Sequence, residues 1–358
     1  MIFKMLIQIS PMDNVYFGKG LSFDAGFDNL GVSVFPPPPS FFYGAISTYY
    51  LSTNGLNSEN IKRVKDKIKI KGIYYSISSQ FYALAPLDFV KIKDPIKYER
   101  EKRLIPLELC SPIVSSNMPE NLTNLLYSKY QVENVNALID DTTMSEVLIG
   151  KKDKITFINL NSYVKEESKI GIKIDAKSRT SQQGYLYKIN YINLARTIEE
   201  KLDFVVDVEV GDLLFPDIGL LKLGGEGKAA EIKQIEDQPD FLNEEVIAKV
   251  KEEIDKSKRF KLILNTPAIF NEGWKPDITK LGVQAELIGA VVGKPTSIGG
   301  WDMESNSAKP MFKAAPSGSV YYYELKNSSV DDLFNNNCLS ISDQRTNEGF
   351  GAFLIGRW

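Results

Sequence analysis

One glycine cluster constrains this chain more than any other feature. In Leu223-Gly224-Gly225-Glu226-Gly227-Lys228, three of four consecutive residues are glycines, set between Gly211-Asp212-Leu213-Leu214-Phe215 and the short apolar run Ala229-Ala230-Glu231-Ile232. Without Cβ atoms the backbone can take positive φ and approach another backbone or a phosphate closely. The pattern returns near the C-terminus, where Asp331-Asp332-Leu333-Phe334 leads through a polar stretch to Glu348-Gly349-Phe350-Gly351 and then to Ala352-Phe353-Leu354-Ile355. A second echo precedes each cluster. Ile9-Ser10-Pro11-Met12 through Phe17-Gly18 resembles Leu264-Asn265-Thr266-Pro267 through Phe270-Gly273: an apolar strand, a hydroxyl residue and proline, then an aromatic and a glycine. The echoes run in the same order, so the chain reads as a duplicated unit with a glycine-rich loop before its last strand. The polar segment containing Pro239 divides residues 1–238 from residues 239–358.

Several function classes drop out on composition. The sequence holds no histidine, the side chain best suited to proton transfer near neutrality, so histidine-based nucleophile systems and imidazole metal sites are excluded. Tyr, Lys or carboxylate catalysis stays open, and nothing in the carboxylate spacing encourages it. The formal net charge is −3; a polyanion would have to be held by local patches. Cys110 and Cys338 form no spacing motif and read as reduced, buried thiols of a cytoplasmic protein. The apolar runs are too short to span a bilayer, and residues 1–9 lack an export signal. No metal or cofactor is expected: Asp13, Asp24 and Asp28 are spaced irregularly, as turn-capping residues are.

Local patterns supply the candidate contacts. After Pro36-Pro37-Pro38-Pro39, Ser40 reads as an N-cap, and Phe42, Ala45, Ile46 and Tyr49 give a buried helical stripe. The N–H groups of such a helix end can hold a phosphate. Lys19 lies between two glycines. Strand, basic loop, strand around Lys177, Arg179, Gln182 and Lys188 reads as a projecting hairpin suited to a single-stranded backbone. Gly224, Gly225, Gly227 and Lys228 form a second candidate contact. Lys294 and Trp301 lie in a further glycine-rich loop, and Trp274 and Trp301 are candidate stacking faces. A basic tract from Lys62 to Lys71 reads as a solvated face. Residues 93–168 read as a long polar insertion with one helix near Thr143–Leu148.

Taken together, these residues resemble a known family. Pro11-Met12-Asp13, Phe35 to Ser40 with Gly44-Ala45-Ile46, Gly171 to Asp175 with Arg179, the Gly224 cluster, Thr266-Pro267-Ala268 with Trp274, Gly299-Gly300-Trp301-Asp302 and Pro316-Ser317-Gly318 are similar to the third-subunit family of Cmr complexes. These are RAMP-superfamily proteins of type III-B CRISPR effectors. The resemblance covers the chain except residues 93–168. It implies an α+β fold of two ferredoxin-like, RRM-related domains with a large insertion in the first. It also implies a non-catalytic role in antiviral defence: RNA binding and scaffolding at the 5′ handle of the guide RNA. The implied partners are the large polymerase/cyclase-like subunit and the backbone RAMP subunits, with no membrane involved. Lys228 departs from the family pattern, which often has arginine there; lysine keeps the charge but not the bidentate geometry. Two other readings remain open, a RAMP-type metal-independent ribonuclease and a purely protein-binding scaffold.

Overall fold

The computed structural model describes residues 3–18, 30–93, 103–110, 124–150, 153–175, 177–195, 197, 200–302, 307–335, 338 and 340–358. It is a mixed α+β structure of mostly antiparallel sheets with few helices.

The first half is built on strands β1 (Phe3–Pro11), β2 (Lys69–Ile77), β3 (Asp203–Gly211), β4 (Ile218–Leu223) and β5 (Lys228–Ile235), with helices α1 (Ser40–Asn54) and α2 (Ser58–Lys67) between β1 and β2. All neighbours are antiparallel, and four of these strands lie in the order β2-β3-β1-β5, with β4 outside β5. The second half holds β6 (Arg259–Leu264), β7 (Ala285–Val291), β8 (Val320–Leu325) and β9 (Phe353–Arg357), in the order β7-β8-β6-β9. With β4 left out, the four strands common to both halves run 2-3-1-4 in each. In both, a glycine cluster stands immediately before the fourth strand.

The echoes also face each other in space. In the first half the N–H of Gly225 donates to the Tyr16 carbonyl at 2.8 Å, just beyond β1. In the second, the N–H of Gly351 donates to the Pro267 carbonyl at 2.8 Å, and the Thr266 hydroxyl donates to the Gly349 carbonyl at 2.5 Å, just beyond β6. The repeated residues therefore meet because each glycine loop docks on the segment leaving its half's first strand.

Two hydrophobic cores sandwich the large sheet. One face packs Ile7, Ile9, Phe204, Val206 and Tyr75 against Phe42 and Ile46 of α1. The other face contributes Tyr74 and Val205 to the core of the second half, with Phe260, Leu262, Tyr321 and Tyr323. Burial on both faces explains the consecutive apolar residues Ile73-Tyr74-Tyr75 and Phe204-Val205-Val206 within strands that otherwise alternate. Helix α3 (Asp141–Ile149), between β2 and β3 in sequence, gives Met144, Val147 and Leu148 to that second core beside Val250 and Ile254 of α4 (Glu244–Ser257).

The predicted irregular insertion needs correction. Within its described part the chain makes short strands at Arg103–Pro106, Glu108–Cys110, Leu125–Tyr127 and Ala137–Asp140 besides α3. Ala137–Asp140 extends the large sheet by pairing with Gln80–Leu84. The hairpin strand predicted to start near Gly171 begins at Lys165.

The halves are joined at a bare strand edge. Gln80–Leu84 pairs with β2 only at Tyr75–Ile77, which leaves the earlier residues of β2 without a strand on that side. Asn265 fills the gap: Ile73 N–H donates to its Oδ1 at 2.7 Å, and its Nδ2 donates to the Ile73 carbonyl at 3.0 Å. Ile70 N–H donates to the Asn347 carbonyl at 3.2 Å. Asn265→Ala would strand a buried donor and acceptor of Ile73. A loss of about 2 kcal/mol is expected, read as a shifted urea midpoint; a loss under about 0.5 kcal/mol would show that the amide pair is dispensable.

Candidate nucleic-acid interface

An exposed basic element is the hairpin Lys165–Ile174 with Ser181–Asn193, paired through nine register positions from Lys165↔Asn193 to Ile174↔Ser181. Its turn is fixed by Asp175. The N–H groups of Lys177 and Ser178 donate to Asp175 Oδ1 at 2.9 and 2.8 Å, and Arg179 N–H donates to the Asp175 carbonyl at 2.9 Å. Arg179 takes φ 55° to close this turn, a left-handed conformation that a capped turn tolerates. Lys177, Arg179 and Lys188 are exposed, so the turn presents cations on an ordered backbone. Gln182 lies in the returning strand; its side chain falls outside the described residues.

The hairpin's root is where the sequence analysis missed most. Tyr191 packs edge-on to Tyr16 with ring centroids 6.0 Å apart. Lys169 and Lys228 place their Nζ atoms 5.1 and 5.2 Å from the centre of the Tyr191 ring. Lys228 Nζ also lies 3.2 Å from Asp13 Oδ2. The Asn14 N–H, donating to Asp13 at 2.7 Å, and then Lys228 hold the Asp13 carboxyl below its ordinary range. Burial, reinforced by Glu226, pushes the Tyr16 and Tyr191 hydroxyls up, so both rings stay neutral. Asn14 Nδ2 donates to Glu167 Oε2 at 2.6 Å and fastens the segment after β1 to the hairpin. None of Asp13, Tyr16, Lys169 and Tyr191 belongs to a sequence pattern naming a contact; only the fold assembles them.

The glycine cluster has a packing reason of its own. Gly224 adopts φ 73° and ψ −163°, and a Cβ there would strike the Tyr16 carbonyl oxygen. A Cβ on Gly225 would meet the Tyr16 ring at 2.8 Å. Gly227 has φ 62° and open space, its nearest neighbour being Lys222 at 3.9 Å. Gly224 and Gly225 thus let the loop seat on Tyr16, and Lys228 is held by Asp13 and Tyr191. The structure seats the glycine loop on the hairpin's root through these tyrosines, while the turn carrying Lys177 and Arg179 stands at the hairpin's other end, beyond Ile174↔Ser181.

The remaining candidates separate from it. Ser40 is not an N-cap: it is the first residue of α1, the cap position is Pro39, and no side chain caps that end. The N–H groups of Phe41, Phe42 and Tyr43 already donate to the Pro38 and Pro39 carbonyls at 3.0–3.1 Å, because the proline run folds into the first turn. Lys19, Asp24 and Asp28 lie outside the described residues. Lys294 is exposed on the second half, next to Gly293, which sits against Pro316 and Leu87. The backbone of Trp301 pairs with Ala308 in that half, and its side chain falls outside the described residues. Trp274 stacks on Tyr321 at 6.4 Å and 7°, and its carbonyl accepts from the Tyr321 hydroxyl at 2.7 Å, so its ring serves packing.

The second glycine loop is closed off by its own charges. Lys309 Nζ binds Glu348 Oε1 at 2.9 Å, Lys280 pairs with Asp343, and Arg345 donates to the Gly299 and Pro310 carbonyls while lying over the Phe312 and Phe350 rings. The two loops share a place in the fold and differ in what covers them.

Residues 7–358 match the family described as CRISPR-associated protein (Cas_Cmr3). The chain belongs to that family. The resemblance read from the Gly224 cluster and its companion motifs is thereby upheld, and the match extends through residues 93–168 as well. Among solved structures, the chain is similar to a subunit in "Cryo-EM structure of the Type III-B Cmr-beta bound to cognate target RNA and AMPPnP, state 1", with a TM-score of 0.50, 14% identity, and coverage of 88% of this chain and 86% of that one. It is equally similar to a subunit in "Cryo-EM structure of the Type III-B Cmr-beta bound to cognate target RNA", with a TM-score of 0.50, 15% identity and coverage of 93% and 89%. At these identities the likeness is one of fold. No curated protein matches the chain. Among the described residues no helix is long and apolar enough to cross a membrane.

Proposed function

We propose that this chain is a non-catalytic subunit of a type III-B CRISPR effector complex and holds the 5′ handle of the guide RNA beside the large polymerase/cyclase-like subunit and the backbone RAMP subunits. In this reading each half is a ferredoxin-like unit, as the shared 2-3-1-4 strand order suggests. The observation that carries it is the first-half surface: an ordered turn with exposed Lys177 and Arg179, joined through Lys169, Tyr191 and Lys228 to the glycine loop. Both loops hold internal ion pairs, Lys228 with Asp13 in the first and Lys309 with Glu348 in the second, and the first alone adjoins a hairpin with exposed cations, which favours the first half as the RNA-facing one. Handle RNA is single-stranded, so exposed cations on a hairpin turn suit it better than a helix built to read a groove.

The test is binding of the chain, alone and with its large-subunit partner, to guide RNA carrying the native or a scrambled handle, at two salt concentrations. A preference for the native handle is expected at both, while the affinity for either RNA falls as salt rises, because phosphate contacts are sequence-independent. Arg179→Ala should remove one charge-assisted contact, about 1.5–3 kcal/mol, or tenfold and more in Kd. Since Arg179 has positive φ, Arg179→Gly gives the same loss of side chain with relief of backbone strain; equal binding by both variants and the parent would remove Arg179 from the site. No discrimination between handles, with or without the partner, would overturn the reading.

A further inference from the structure

We infer that β4 is a docking edge, on which an extended segment of another protein chain adds a ninth strand to the eight-stranded sheet. The inference does not depend on the RNA reading. The backbone pattern shows the vacancy. Gln234 N–H donates to the Asp217 carbonyl at 2.8 Å, and the register continues unbroken from Ile218↔Lys233 to Leu223↔Lys228. In an antiparallel ladder the pairs that exchange hydrogen bonds alternate with those that do not, so Gly219, Leu221 and Leu223 bond to β5. The N–H and C=O groups of Ile218, Leu220 and Lys222 point the other way. β4 ends the sheet on that side.

This edge lacks the devices that usually blunt one. β4 has no proline, no bulge and a single lysine. Its outward residues are apolar and exposed, Ile218 by 62% and Leu220 by 63%, with Leu214 before them at 83%. Its other face is used, since Gly219 sits under Tyr49 of α1. The comparable bare stretch of β2 is covered by Asn265 and Asn347 of the second half, whereas among the described residues no strand pairs with the outer edge of β4.

The chemistry of the edge names the occupant. A row of alternating backbone donors and acceptors is met by another polypeptide in extended form. RNA has no such ladder, and the isoleucine and leucine offer it no counter-charge. The segment should carry apolar side chains at alternate positions over Ile218 and Leu220. On the face that carries Ile218 and Leu220, exposed Lys222 and Lys233 flank Glu231, with Asp217 exposed just before the strand, so an acidic residue of the segment would be placed over Lys222 or Lys233. The natural source is a neighbouring subunit of the assembled effector.

Amide hydrogen exchange tests this in the full chain, free and in the complex assembled with the other subunits. The amides of Ile218, Leu220 and Lys222 should exchange fast in the free chain and at least about tenfold more slowly in the complex, while those of Gly219 and Leu221 are protected in both. Leu220→Pro removes an outward N–H without touching a bond to β5, and Leu220→Lys places a charge on the apolar row. Each should lower incorporation into the complex about tenfold with the circular-dichroism spectrum of the free chain unchanged. If Leu220→Pro disturbs folding, Leu220→Lys decides. Three results would overturn the proposal: outward amides still fast in the complex with both variants incorporated normally, protection produced by guide RNA alone, or protection that grows with concentration in the isolated chain, which would make a second copy the occupant.

Discussion

Lys261→Met is expected to destabilise the chain by about 3–5 kcal/mol, although lysine on an alternating strand usually marks a solvent face. Lys261 is 5% exposed and its Nζ lies 2.8 Å from Oδ2 of Asp88, itself 2% exposed. Tyr322, directly opposite Lys261 in the β6–β8 ladder, donates its hydroxyl to the same oxygen at 2.5 Å. Burial, with the Asp88 carboxylate behind it, raises the Tyr322 hydroxyl well above its ordinary range, so it remains a donor. The Lys261 ammonium also lies 5.4 Å from the centre of the Phe89 ring. Among the described residues Asp88 Oδ1 has no partner, so Oδ2 carries the whole compensation. Removing the lysine leaves a buried carboxylate facing one neutral donor. Removing both charges as Asp88→Leu with Lys261→Met should recover most of the loss, because apolar packing at such a site is near neutral relative to a buried pair. Urea denaturation of the two single variants and the double one forms a closed cycle. A loss under about 1 kcal/mol for Lys261→Met, or a double variant as damaged as the sum of the singles, would contradict this account.

That pair also shows what a sequence conceals. Asp88 and Lys261 are 173 positions apart, and neither sits in a motif. By contrast, Phe42, Ala45, Ile46 and Tyr49 announce α1 because helical spacing is a local property, and all four are buried. The strands between residues 103 and 159 are two to four residues long, too short for a period, and their pairings are set by distant partners. The candidate site divides along the same line. That Lys177 and Arg179 lie on an exposed hairpin turn was legible because strand, polar turn and strand are adjacent in sequence. Lys169 and Tyr191 were not, because a lysine and a tyrosine on alternating strands look like any half-exposed sheet until Lys228 and Asp13 arrive from elsewhere. Ser40 misled for a local reason: serine after proline suits a cap, but here the prolines themselves enter the first turn.

Gly224→Ala and Gly351→Ala are each expected to cost on the order of 3 kcal/mol, far more than alanine at Gly44 or Gly273. Gly224, at φ 73° and ψ −163°, occupies a region closed to residues with a Cβ, worth about 1–3 kcal/mol by itself. The added methyl would also strike the Tyr16 carbonyl that accepts the Gly225 N–H, and so push apart the bond that seats the loop. Gly351 has φ 74°, its N–H donates to the Pro267 carbonyl, and a Cβ there would collide with the backbone nitrogen of Ser342. Two controls separate strain from crowding. Gly273 has φ 76° with nothing within 4 Å of a built Cβ, so alanine there should cost only about 1 kcal/mol for the left-handed backbone. Gly44 lies inside α1, also in open space, and alanine should stabilise by about 0.5–1 kcal/mol through helix propensity. The ordering Gly44, Gly273, then Gly224 with Gly351 in urea midpoints checks whether the repeated clusters exist for docking on the first strand of each half. If the two cluster variants cost no more than Gly273→Ala, close docking is not their reason. Where handle RNA is also measured, Gly224→Ala should weaken binding at a temperature where both variants remain folded, whereas Gly351→Ala should not, because only the first loop lies beside the hairpin.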